Sequence, residues 1–102
     1  MELIQPEVVK EKLDAGTPIH LVDVRQPEEH ADFNIGGTLL PLGQVQVMAI
    51  DDIEHLRNEE VICYCRSGQR SMQAAMLLES MGFTNVKNLV GGMIGWESRY
   101  GR

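Results

Sequence analysis

One cysteine and two arginines share a short stretch, and their types and spacing could support nucleophilic chemistry on an anion. An apolar run at 61–64 precedes this stretch, which reads Cys65-Arg66-Ser67-Gly68-Gln69-Arg70-Ser71. The run predicts a buried strand and the residues after it predict a helix, so Cys65 is expected where a strand passes into a helix. Free N–H groups, the positive end of the helix dipole and two guanidinium groups all favour a thiolate there. We therefore expect the pKa of Cys65 to lie below its reference value.

The loop after Cys65 is composed of residues that permit a tight turn. Ser67 and Gly68 are small, and glycine adopts positive φ without strain, so the backbone amides of residues 66–71 can point inward. We interpret Cys65 as a reactive residue rather than a structural one. Cys63 lies two residues earlier on the same strand face. We interpret it as core packing, and a resolving thiol is the alternative.

A second polar group stands near the end of another apolar run. Residues 19–24 form a near-continuous apolar segment, typical of a parallel strand covered on both faces, and Asp23 interrupts it. Functional sites of open parallel sheets lie beyond the carboxyl ends of the strands. Asp23 and Cys65 are therefore expected to face one crevice. A buried carboxylate needs a partner, so we interpret Asp23 and Arg25 as supporting residues in a structural ion pair or loop hydrogen bond.

The rest of the chain alternates strands with helices, which predicts one α/β domain over residues 1–102 with a mainly parallel sheet. Strands are predicted at 3–4, 19–24, 38–42, 61–65 and 86–89. Helices are predicted at 6–16, 70–81 and 93–99, with a short helix in 25–33 and one or two between 44 and 57. The helix at 70–81 is expected to bury the methionines Met72, Met76 and Met81. Trp96 is interpreted as a core residue.

The composition restricts the class of partner. The 102 residues carry a net charge of −6, which argues against nucleic acid or an anionic membrane as a general partner. No apolar run approaches the roughly 18 residues that a spanning helix needs. The chain starts with an acidic segment rather than a basic and apolar one. Two cysteines one residue apart do not suggest a disulfide, so we expect a reduced, cytoplasmic protein.

No metal or organic cofactor is expected. The three histidines lack a shared metal-ligand spacing. We interpret His20 as a strand residue and His30 and His55 as surface residues. Gly91-Gly92 lacks the G-x-G-x-x-G pattern of a dinucleotide site.

Residues 65–71 strongly resemble the active-site loop of rhodanese-type sulfurtransferases. Asp23-Val24-Arg25-Gln26-Pro27-Glu28-Glu29 is similar to that family's Asp-Val-Arg-x-Pro-x-Glu segment, and residues 82–86 and 89–96 resemble its closing elements. The resemblance implies the rhodanese fold, with a five-stranded, mainly parallel sheet and helices on both faces. It implies that Cys65 takes a sulfane sulfur from a donor such as thiosulfate and holds it as a persulfide. The persulfide then passes its sulfur to a thiophilic acceptor, cyanide or a thiol.

The resemblance also indicates roles around the cysteine. Arg66 suggests an anionic donor, and a solvated surface charge is the alternative. Arg70 either closes the loop, forms a structural salt bridge, or does both. The segment Asn34-Ile35-Gly36-Gly37-Thr38 departs from the family's usual His-Ile-Pro-Gly-Ala. That departure leaves the edge of the pocket and the acceptor open.

Three other functions compete with this one. Related phosphatases and arsenate reductases use a similar cradle, and the phosphatases place five residues between cysteine and arginine. Four residues separate Cys65 from Arg70, which suits a terminal sulfur better than a phosphoryl group. A persulfide relay would exchange sulfur with a protein donor or acceptor and turn over free thiosulfate poorly. A rhodanese-like interaction or regulatory module is the remaining alternative, but such modules sometimes lack the cysteine that this chain retains.

Overall fold

A central strand of apolar residues organises the sheet. The computed structural model describes residues 1–102. Strand β4 (Glu60–Tyr64) lies in the middle of a five-stranded sheet because residues 61–64 are fully buried on both faces. The other strands are β1 (Glu2–Ile4), β2 (Leu21–Asp23), β3 (Thr38–Leu39) and β5 (Asn85–Leu89). Their order is β1-β5-β4-β2-β3 and every pair is parallel. The predicted five-stranded parallel sheet is confirmed.

Helices connect the strands. They are α1 (Pro6–Asp14), α2 (Pro27–Asp32), α3 (Leu42–Gln46), a 3₁₀ helix (Asp51–Leu56), α4 (Gln69–Ser80) and α5 (Gly92–Tyr100). Proline at the first helical position starts both α1 and α2, where its missing N–H costs nothing. None of these helices combines the length and the apolar character needed to cross a membrane.

The sheet separates two apolar clusters, one on each face. Alternation along β4, continued by the residue after it, directs Val61, Cys63 and Cys65 into a cluster of fifteen residues beneath α4. Ile62 and Tyr64 point the other way, into a cluster of eight that includes Trp96. The expected helices on both faces and the buried position of Trp96 (4% exposed) are thus confirmed.

The expected burial of two methionines on α4 is wrong. Met72 is 42% and Met76 59% exposed, whereas Met81 is partly buried against the larger cluster. The buried residues of α4 are Ser71, Ala74, Ala75 and Leu78. These residues form an i, i+3, i+4, i+7 stripe whose small members let the helix lie close to the sheet. The longer methionine side chains are left at the flank of that stripe.

Several element boundaries also differ from prediction. β3 covers only Thr38–Leu39 of the predicted 38–42, and β2 starts at Leu21. His20 therefore precedes the strand that was expected to contain it. Cys65 lies one residue beyond the end of β4. The boundary shift puts the cysteine in the loop itself.

Candidate functional site

The loop between β4 and α4 encloses the sulfur of Cys65. Gly68 has φ 101°, and this left-handed turn directs its backbone N–H at Cys65 Sγ, 3.0 Å away. The N–H of Ser71 and its Oγ lie 3.3 Å from the same sulfur. Cys65 and Ser71 are both fully buried. The loop and the first turn of α4 therefore provide three donors to a single sulfur atom.

These contacts set the charge of the sulfur. Burial alone would raise the pKa of Cys65, but the hydrogen bonds from the Ser71 hydroxyl, the Ser71 amide and the Gly68 amide outweigh it, with a smaller contribution from the nearby amide of Ser67. The pKa therefore lies below its ordinary value. The main causes of the lowering are all hydrogen bonds. The sulfur is thereby prepared to act as a thiolate nucleophile.

Cys63 behaves differently although it lies on the same face. Its burial raises its pKa to about 12, and the nearby charge of Cys65 adds to the effect. It is fully buried in the larger cluster and forms no disulfide. Core packing accounts for this cysteine.

Helix α5 holds the loop from the opposite side. Met93 N donates to the carbonyl of Cys65 at 2.9 Å, and Ile94 N donates to that of Arg66 at 3.0 Å. Gly92 has φ 54°, and a Cβ built there would lie 2.5 Å from Arg66 O. The close approach of α5 therefore requires glycine at this position.

Two arginines flank the loop and differ in their partners. Arg70 forms a bidentate ion pair with Glu29 of α2, with Nη1–Oε1 at 2.8 Å and Nη2–Oε2 at 3.0 Å. The hydrogen bond from Arg70 lowers the pKa of Glu29 to about 2. Arg66 is exposed and makes no ion pair. The salt-bridge interpretation thus fits Arg70, while the charge of Arg66 is free.

Asp23 and Arg25 form a buried ion pair at the end of β2. Arg25 Nε and Nη2 lie 2.9 and 2.8 Å from the two Asp23 oxygens, and Arg25 N donates at 3.0 Å. Burial would raise the pKa of Asp23, but the hydrogen bonds from Arg25 and His30 lower it. Arg25 also donates to the carbonyl of Phe33 at 2.7 Å. Neither side chain makes a hydrogen bond to Cys65, and through Arg25 the pair connects the end of β2 to the carbonyl of Phe33.

His30 is not the surface residue that was expected. Its Nδ1 lies 2.8 Å from Asp23 Oδ2, and its side chain is 23% exposed. The sequence indicated this contact only through the position of His30, which directly follows the segment that begins with Asp23. The fold contains no cluster of three or more His, Cys, Asp or Glu side chains that could hold a metal ion.

Asn88 is a site residue that sequence reasoning missed. It lies near the carboxyl end of β5, in register with Cys63 of the adjacent β4. Its Nδ2 donates to Gly68 O at 3.1 Å, and its Oδ1 accepts from Ser71 Oγ at 2.5 Å. A polar residue at the carboxyl end of an apolar strand was the available signal.

The atypical segment at 34–38 is held by its own hydrogen bonds. Asn34 Nδ2 donates to His30 O at 2.9 Å, and its Oδ1 accepts from Gly36 N at 2.9 Å. The hydroxyl of buried Tyr64 donates to Gly36 O at 2.9 Å. No residue of the segment lines a cavity beside the loop. The segment with the atypical sequence therefore lies outside the linings of both cavities beside the loop.

Two depressions flank the loop. One, of about 490 Å³, has no charged residue in its lining and lies between the loop residues Ser67–Gln69 and the exposed side chains of Leu3, Met72 and Met76. The other, of about 240 Å³, is mostly polar and contains Arg66, Arg25 and Glu29. The two sides of the loop therefore differ in polarity, and the polar side carries carboxylates as well as arginines.

Comparisons with known proteins agree with this architecture. Residues 5–99 match the model of the rhodanese-like domain family. A "Sulfurtransferase" of Allochromatium vinosum is 37% identical, over 96% of this chain and 89% of its own length. The "Putative sulfur carrier protein YrkF" of Bacillus subtilis is 36% identical over 94% of this chain, which spans only 51% of that relative. The crystal structure of a rhodanese-like domain protein from Staphylococcus aureus superimposes with a TM-score of 0.81 and 30% identity, covering 94% of this chain and 91% of that one. The chain belongs to the rhodanese-like domain family.

Proposed function

We propose that the protein is a sulfurtransferase in which Cys65 carries a sulfane sulfur from thiosulfate, or a similar anionic donor, to a thiophilic acceptor such as cyanide or a thiol. The observation that carries the proposal is the set of three donors around Cys65 Sγ. The names of the relatives support sulfur transfer in general. The choice of donor and acceptor is our own inference.

The reaction is a pair of displacements on sulfur. Cys65 thiolate attacks the outer sulfur of thiosulfate, the sulfur–sulfur bond of the donor breaks, and sulfite leaves with the electron pair. The negative charge then rests on the outer sulfur of the new persulfide. A cyanide ion or thiolate next attacks that outer sulfur, and the electron pair returns to Sγ. Atoms and charges balance in both steps without a further reactant.

The residues of the loop supply what both steps require. The first N–H groups of an α-helix have no partner inside the helix, so those of Gln69 and Arg70 are available to an outer sulfur that carries charge. We assign binding of the donor and stabilisation of the persulfide to the stretch from Arg66 to Ser71. Asp23 and Arg25 support it. The single unpaired guanidinium, that of Arg66, favours a donor with negative charge.

A persulfide relay between proteins is the second candidate. The name of the Bacillus relative as a putative sulfur carrier favours it, since a carrier passes sulfur to another protein. Such a relay would use Cys65 in the same way with a protein donor or acceptor. The two free thiols fit a reducing compartment, and we propose the cytoplasm for either function.

The proposal is tested by measuring thiosulfate:cyanide sulfur transfer in two cysteine variants. Cys65→Ser should abolish thiocyanate production while the circular dichroism spectrum stays that of the wild type. Cys63→Ala serves as the matched control and should keep the activity, because that thiol is fully buried and its pKa is raised. Retained activity in Cys65→Ser would exclude the assignment. An inactive wild type that accepts sulfur from a persulfidated protein would select the relay.

A further inference from the structure

The side-chain amide of Asn88 has a fixed orientation behind the loop. The residue is 2% exposed, and its Nδ2 lies 3.1 Å from the carbonyl oxygen of Gly68. A carbonyl oxygen can only accept, so the NH₂ end of the amide must face it. The Oδ1 end therefore faces Ser71 Oγ, 2.5 Å away.

Ser71 has one hydroxyl hydrogen and two acceptors within reach. Asn88 Oδ1 lies at 2.5 Å and Cys65 Sγ at 3.3 Å from Ser71 Oγ. All three residues are at most 2% exposed, and the Ser71 hydroxyl is the protein donor that contacts Asn88 Oδ1. The hydrogen can serve only one acceptor at a time, and it goes to the one with more negative charge.

We propose that Asn88 is a positioning residue whose Oδ1 competes with Cys65 Sγ for the Ser71 hydroxyl hydrogen, so that this hydrogen changes acceptor with the charge on the sulfur. When Sγ is a thiolate, the hydroxyl donates to it and Oδ1 loses its donor. When Sγ is protonated, its S–H donates to Ser71 Oγ, and the hydroxyl donates to Asn88. The amides of Gly68 and Ser71 stay in place in both states.

The same competition acts during sulfur transfer, and this step rests on the proposed function. Formation of the persulfide moves the negative charge from Sγ to the outer sulfur. Sγ then attracts the hydroxyl less, and the hydrogen returns to Asn88 Oδ1. Asn88 therefore favours the persulfide over the free thiolate and, through Gly68 O, keeps the loop in shape for both.

The titratable and charged groups that act on Cys65 or adjoin it are Cys63, Arg66 and Arg70. Cys63 interacts with it from β4, Arg70 from α4, and Arg66 adjoins it in the chain. All variants below are made in a Cys63→Ala background, so that Cys65 is the single thiol that reacts. Arg66 and Arg70 are unchanged in every variant.

The first test is the pH dependence of iodoacetamide alkylation in Asn88→Ala, Ser71→Ala and the double variant. In Asn88→Ala the midpoint of the alkylation rate against pH should lie at lower pH, because Sγ becomes the sole acceptor for the Ser71 hydroxyl. Below the wild-type midpoint this variant should be alkylated about threefold to tenfold faster. Ser71→Ala should move the midpoint to higher pH. The double variant should have the same midpoint as Ser71→Ala alone, because no hydroxyl is left for the two acceptors to share. An unchanged or raised midpoint in Asn88→Ala, or an equal shift in both backgrounds, would overturn the proposal.

A second measurement uses the chain without substitution at Asn88, in case that variant fails to fold. The side-chain amide signals of Asn88 in a ¹H–¹⁵N spectrum should shift with the alkylation midpoint and shift again after Cys65 is alkylated. The amide of Asn34, which hydrogen-bonds to His30 O away from the loop, is the internal control. Asn88 signals that stay constant through the midpoint would contradict the proposal. Neither measurement needs a sulfur donor, so both remain readable if the proposed function fails.

Discussion

The lowered pKa of Cys65 results mainly from hydrogen bonds directed at one buried sulfur. The amide and hydroxyl of Ser71 and the amide of Gly68 outweigh the cost of burial. Cys63, on the same face, lacks such donors, and burial raises its pKa to about 12. The surroundings of these two cysteines therefore shift their pKa values in opposite directions.

Asp23 forms a buried ion pair with Arg25 at the end of β2. Its carboxylate is fully buried and accepts from Arg25, whose side chain is 7% exposed. Asp23→Asn should lower the free energy of unfolding by about 3–5 kcal/mol, because it leaves a buried guanidinium without its counter-charge. Urea denaturation measures the change.

Asp14→Asn is the matched control for that variant. Asp14 pairs with Lys10 one helical turn away, and both side chains are well exposed. Its substitution should change the free energy of unfolding by about 0.5 kcal/mol or less. Equal effects of the two substitutions would show that the buried pair does not support the fold.

Two helices meet at the loop and hold it in different ways. The first turn of α4 supplies donors to the sulfur, and the first turn of α5 donates to the carbonyls of Cys65 and Arg66. The loop backbone is therefore held by hydrogen bonds on both sides before any sulfur donor binds. Such fixed donors stabilise developing charge without reorganisation.

Gly92 allows α5 to approach the loop. Gly92→Ala should destabilise the fold by about 1–3 kcal/mol, because its Cβ would overlap the carbonyls of Arg66 and Cys65, at 2.5 and 2.6 Å. It should also slow alkylation of Cys65. Chemical denaturation and alkylation rates on the same samples provide both readouts.

Gly95→Ala tests the same substitution three residues later in α5. A Cβ at Gly95 would lie 3.9 Å from its nearest neighbour, Val90 O. Since alanine is the better helix former, a gain of about 0.5–1 kcal/mol is expected. A Gly92→Ala protein as stable and reactive as Gly95→Ala would disprove the role of the close approach.

Ion pairs between distant elements make the whole molecule sensitive to acid. Glu29 of α2 pairs with Arg70 of α4, and its pKa falls from 4.5 to about 2. A carboxyl with a lowered pKa adds stability above its unfolded value and loses it as pH falls. The contribution of Glu29 is therefore present above pH 4.5 and lost between 4.5 and about 2.

Glu29→Gln should flatten the pH dependence of the free energy of unfolding in that window. Glu28→Gln removes a charge from the same turn without removing an ion pair, because Glu28 is exposed and unpaired, so it should keep the wild-type slope. Denaturant titrations at several pH values provide the comparison. An unchanged slope in Glu29→Gln would mean that the ion pair does not contribute.

The sequence predicted local features better than contacts between elements. The apolar run at 61–64, the small residues after Cys65 and the polar loop before α4 predicted where the cysteine would lie. The burial of Met72 and Met76 was predicted wrongly because the helical periodicity of α4 allows either of two overlapping faces to be buried. The buried face is the one with the smaller residues, which pack closer to the sheet. His30 and Asn88 were missed because their contacts depend on how α2 and β5 pack beside the loop.

The mass of the protein after incubation with thiosulfate is the most direct test of sulfur transfer through Cys65. The wild type and Cys63→Ala should each gain the mass of one sulfur atom, located at Cys65 by peptide mapping and removed by cyanide. Cys65→Ser should gain none. A wild-type protein without added sulfur, under conditions that persulfidate a known sulfurtransferase, would contradict the use of thiosulfate. Sulfur found on Cys63 instead would contradict the assignment of Cys65.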